Sequence, residues 1–68
     1  MTPDEKAALR ELVAEARTWA GEMERSAYEL RGLGDECEDV AAGNRKVAKT
    51  LRGLADVVEA QVIEDGAT

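Results

Sequence analysis

The chain has 68 residues, with 15 Asp+Glu against 9 Lys+Arg, a formal charge of −6, no His, no Phe, and one each of Cys, Trp, Tyr and Pro. The absence of His removes imidazole acid–base and metal chemistry, and a lone Cys removes an internal disulfide and any thiolate zinc site. One small, acidic, reduced domain over residues 1–68 is expected, with no cofactor and a cytoplasmic location. No apolar run approaches the ~20 residues of a membrane span, and no basic-then-apolar leader is read at the start.

Size and composition set the next expectation. Below about 70–80 residues a single core rarely supplies more than ~3–5 kcal/mol. With so few aromatics the core must be Leu, Val and Ala, so self-association is expected. Arg outnumbers Lys six to three and Ala occurs 12 times, a skew that fits a high-GC bacterium, such as an actinobacterium, or one of its phages.

The first helix is announced by Thr2-Pro3-Asp4-Glu5. Thr suits the N-cap, Pro the first helical position, and Glu the third, where its side chain reaches back to the cap N–H. Apolar residues then recur at Leu9, Leu12, Ala16, Trp19, Met23, Leu30 and Leu33, interrupted by Ser26. These steps of three and four define a heptad seam. Leu9, Ala16, Met23 and Leu30 take a; Leu12, Trp19, Ser26 and Leu33 take d. The helix is expected over about 3–31.

Gly32-Leu33-Gly34-Asp35 is the turn, expected over 32–35. Gly32 suits a left-handed helix end, with Leu33 folding back as its hydrophobic contact. Asp35 suits the next N-cap, with Glu38 three residues on. So short a link joins antiparallel neighbours.

The second seam places Cys37, Asn44, Leu51 and Val58 at a, and Val40, Val47, Leu54 and Gln61 at d. A helix over about 35–64 and a short tail at 65–68 follow, with Gly66 as the stop. Gly43-Asn44 is a breaker signal, and the alternative is a three-helix arrangement broken there. Phase favours continuity, because Val40 and Val47 stay seven apart across the glycine. The fold class is therefore all-α: an antiparallel, coiled-coil-like two-helix hairpin.

With a and d facing inward, the e column becomes a lateral strip: Val13, Ala20 and Ala27 on the first helix, and Ala41, Ala48, Ala55 and Val62 on the second. All seven are apolar. This strip is expected to be the self-association interface of a homodimer or higher oligomer, completing a four-helix bundle. Trp19 at d is expected to anchor the core, while Tyr28 at f faces solvent. Asn44 either fixes register or bonds to nearby Ser26. Cys37 is read as an inert packed thiol, since Asp35, Glu36, Glu38 and Asp39 surround it with negative charge.

Charge is segregated. The hairpin tip carries Glu29, Asp35, Glu36, Glu38 and Asp39, which together with Tyr28 are candidate partner contacts. Arg45, Lys46, Lys49 and Arg52 form a basic patch. They are candidate polyanion contacts, or else they pair with Glu15 and Glu22. The acids lie on solvated helix ends without a pocket, and Gly32-Leu33-Gly34 lacks phosphate-loop spacing, so an enzyme is not expected. The competing reading is a helix-turn-helix DNA-binding regulator that bends at Gly43-Asn44 and uses the basic patch. The −6 charge opposes it, since phosphate binding needs cation density, and nucleic acid is not the expected partner.

The triplet Trp19-Ala20-Gly21 matches the Trp-x-Gly signature of small secreted helical hairpins from actinobacteria. In that family the motif occupies the turn, whereas here the heptad runs through it and the turn comes 11 residues later, at Gly32. No family is assigned on three residues. The expected role is a small, self-associating protein–protein interaction module: an adaptor, regulator or inhibitor with an unidentified protein partner.

Overall fold

The structure is a computed structural model that describes residues 1–64. The tail expected at 65–68 and its stop at Gly66 lie outside the described residues. Two helices, α1 (Pro3–Glu29) and α2 (Asp35–Val57), pack as an antiparallel hairpin, and α2 runs on into a π-helical turn, Val58–Glu64. The molecule measures 50 × 16 × 11 Å, a rod one helix thick.

The start of α1 forms as its sequence dictates. The Thr2 hydroxyl accepts from the Glu5 N–H at 3.1 Å, and the Glu5 carboxylate accepts from the Thr2 N–H at 3.4 Å. At the turn, Gly32 (φ 80°) and Gly34 (φ 126°) take left-handed backbone that side chains disfavour. Gly34, not Asp35, is the N-cap of α2, and it offers no side-chain cap. The Glu38 carboxylate instead accepts from the Gly32 N–H at 3.4 Å, across the turn. Leu33 stays exposed and is not buried against the helix end. The first helix ends two residues sooner than expected.

Through Gly43 and Asn44, α2 is unbroken. The three-helix alternative is thereby excluded, and the inward phase is held by Ala41 and Ala48, seven apart across the glycine and both buried, not by Val40 and Val47, which are exposed. Asn44 takes the local role, its amide donating to the Ser26 hydroxyl at 3.4 Å.

The main departure concerns which side chains are inside. Val13, Ala20, Ala27, Ala41, Ala48 and Ala55 are all buried within the single hairpin. The strip read as a surface for a second copy is this chain's own core. Trp19, read as a core anchor, is exposed. The helices are rotated roughly 50–70° from the a/d arrangement, because at about 100° per residue e lies between a and b while d lies beyond a. Two causes favour e. Ala at five of the six buried positions, Ala20, Ala27, Ala41, Ala48 and Ala55, lets the two helices pack closely. The charged b columns also flank e, and toward the open end they pair opposite signs, Arg17 with Glu59 and Glu24 with Arg52.

Val62 is the exception within the strip. It is 37% exposed, and Ile63 is buried in its stead against Val13 and Ala55. A π-turn inserts one residue per turn relative to the α-helix, which advances the inward position by one.

Candidate functional site

A one-layer hairpin has two broad faces, and its pseudo-twofold axis places equivalent heptad columns of both helices on the same face. One face carries the d columns. Leu12, Trp19, Val40, Val47 and Leu54 lie there, each between 42% and 59% exposed. Beneath them the a residues are half-buried. Toward the open end Leu9, Leu12 and Ala16 face Leu51, Leu54 and Val58 across a shallow, almost wholly apolar groove. Monomeric proteins seldom expose so continuous an apolar surface.

The edge of this face along α1 is acidic. Glu15, Glu22 and Glu29 occupy successive g positions and are exposed. None of them belongs to an ion pair among the described residues. The matching edge of α2 carries Glu36, Gly43, Thr50 and Val57, also exposed.

The opposite face is a charge ladder built by the b columns. Arg17 donates to Glu59 at 2.9 Å and 3.2 Å and to Asp56 at 2.8 Å. Arg52 pairs with Glu24. Hydrogen bonds from Arg17, and then its charge, hold the Glu59 carboxyl below the usual range; the Arg17 guanidinium is correspondingly raised, first by Glu59 and then by Asp56.

That shift predicts an acid-labile contribution to stability. A depressed carboxyl stabilises the fold fully above its unfolded value of about 4.3 and loses this as pH falls through the lower folded value. The melting temperature of Arg17→Met is expected to lie below that of the native chain by a constant margin at neutral pH. The margin should close as pH drops below about 4.3. Thermal melts by circular dichroism at several pH values test this, and a margin independent of pH would remove the pair from the ledger of stabilising contacts.

The candidate residues of the sequence are thus separated rather than gathered. Of the basic patch, Arg52 is consumed by Glu24, Arg45 lies on the ladder face beside Tyr28 and Arg31, and Lys46 and Lys49 are exposed at c and f. They do not pair with Glu15 or Glu22. With α2 continuous, the helix-turn-helix reading also lacks its turn. Tyr28 is exposed as expected, but on the ladder side. Glu29, Asp35, Glu36, Glu38 and Asp39 are exposed around the tip, and Cys37 is half-buried.

What sequence reading missed is the exposed d row. The signal was present in the b columns. Arg17 and Glu24 on one helix meet Glu59 and Arg52 on the other in antiparallel order, whereas no such complement exists at g. Complementary charge on only one flank rotates the contact toward that flank. Among the described residues no helix is long and apolar enough to cross a membrane. Comparison with known families, characterised proteins and solved structures returns no match for this chain.

Proposed function

We propose that this protein is a non-enzymatic interaction module: half of a four-helix bundle, whose open face docks a second pair of helices. The observation that carries the reading is the exposed d row of Leu12, Trp19, Val40, Val47 and Leu54 on one face of a single-layer rod. Helices in a bundle bury two flanks each. Here the a/e/b flank is filled by the hairpin itself, and the d/g flank is open. A module of this kind acts by occupying or bridging helical surfaces, as an adaptor, regulator or inhibitor does.

Such a face self-associates weakly when no better occupant is present. Light scattering is expected to show a mass above 7.3 kDa as concentration approaches the millimolar range, where a free energy of only about 4 kcal/mol suffices. Trp19 emission should shift to the blue in parallel. The double variant L12E/L54E keeps the alanine core and should weaken association at least about tenfold, as loss of an interface anchor does. A strictly monomeric mass with unshifted Trp19 emission, or association indifferent to L12E/L54E, would sink the proposal.

A further inference from the structure

We propose that the preferred occupant of the apolar face is a different helical chain, whose apolar stripe is flanked by Lys or Arg, rather than a second copy of this one. This rests on the reading of the d row as a docking face and adds the partner's chemistry to it.

The argument is one of charge at the rim. Docking another pair of helices on this face brings the g positions of α1 against the partner's flanks. That edge offers Glu15, Glu22 and Glu29, exposed and without ion-pair partners among the described residues. Two copies can stack face to face in two antiparallel ways. If α1 lies on α1, the glutamate row meets itself, and like charges directly opposed disfavour that complex. If α1 lies on α2, the row meets Glu36, Gly43, Thr50 and Val57, which hold no cation.

The chain's own cations cannot repair either arrangement. Arg17 and Arg52 are bonded on the opposite face. Arg31 and Arg45 line that same face, and the remaining cations lie off the d and g columns, Lys6 at e, Arg10 at b, Arg25 and Lys46 at c and Lys49 at f. The face is therefore complementary in shape to a helical pair and complementary in charge to a basic-edged one. Rim charges of this kind select among partners that share the same apolar contact.

A charge-swapped version of the chain supplies a defined probe. The variant E15K/E22K changes only exposed positions on the rim. Mixed with the native chain, it is expected to form a complex about tenfold tighter than the native chain forms with itself, given roughly 0.2–1 kcal/mol for each exposed pair and the removal of like-charge contacts. The gain should fade with added salt. The control E11K/D39K alters net charge equally but at c positions away from the edge, and it should give no comparable gain.

Sedimentation equilibrium of the three mixtures, with circular dichroism to verify folding, decides the matter. Native self-association as tight as the E15K/E22K mixture, or an equal gain from E11K/D39K, overturns the proposal. Adding L12E/L54E to both chains separates its failure from failure of the docking face. If the charge preference is absent but L12E/L54E abolishes association, the face stands and the basic-rim rule falls. If association survives L12E/L54E, or no mixture associates, both fall.

Discussion

Ile63→Ala is expected to destabilise the hairpin by about 2–5 kcal/mol, the range for truncating a large buried aliphatic residue. Val62→Ala, one position earlier, should change stability by less than about 1 kcal/mol, because its side chain is partly solvated. Ile63 is the largest fully buried side chain among the described residues, and it closes the cluster formed with Val13 and Ala55. A core in a chain this short rarely supplies more than ~3–5 kcal/mol, so its loss is expected to leave a substantial unfolded fraction at room temperature. Urea denaturation of the two variants reads the difference. Equal effects, or a larger one at Val62, would show that the final turn keeps α-helical phase and that no inward position is gained by the π-turn.

The second large effect is at Ala20. Replacing it with Leu inserts bulk into a position that has no free space to solvent, since Ala20 is 0% exposed. Overpacking of this kind costs about 1–3 kcal/mol, and each kcal/mol lowers the melting temperature by roughly 4–8 °C in a domain of this size. Trp19→Ala, at the adjacent position, should alter the melting temperature little, since its side chain is 58% exposed. An a/d-centred hairpin requires the reverse: a severe loss at Trp19 and tolerance at Ala20. Thermal melts of the two variants therefore distinguish the two rotational settings of the helices, and a larger loss at Trp19 would refute the alanine-centred core.

The contrast shows how far this sequence could be read. The capping box at Thr2, the antiparallel turn at Gly32 and Gly34, and the continuity of α2 through Gly43 were all legible, because each depends on a few neighbouring residues. The rotation of each helix about its own axis was not. Apolar residues at a, d and e together span an arc of about 100° on a helix, and hydrophobic periodicity alone does not say which edge of that arc faces inward. Size and charge decide it. Small side chains at e permit close approach, and Arg17, Glu24, Arg52 and Glu59 reward it from the b side. Reading the columns for opposed charge across the hairpin, and not only for hydrophobicity, would have placed Ala20 inside and Trp19 outside. The register shift at Ile63 had no comparable signal, since Val62 and Ile63 are nearly equivalent in a helical pattern. The strip of Val13, Ala20, Ala27, Ala41, Ala48 and Ala55 was read as surface instead of core for the same rotational reason.

Because the described chain begins and ends at the same end of the rod, tension applied at its two ends would pull the helices apart sideways, opening the hairpin like a zipper. The first layers to carry that load are those of Ile63, Val13 and Ala55, the bulkiest part of the core, and the layers beyond them are alanine. The open end therefore acts as a latch. Once it yields, the thin alanine contact and the ion pairs separate one layer at a time, so the rod resists pulling up to a threshold at one end and very little along the rest of its length.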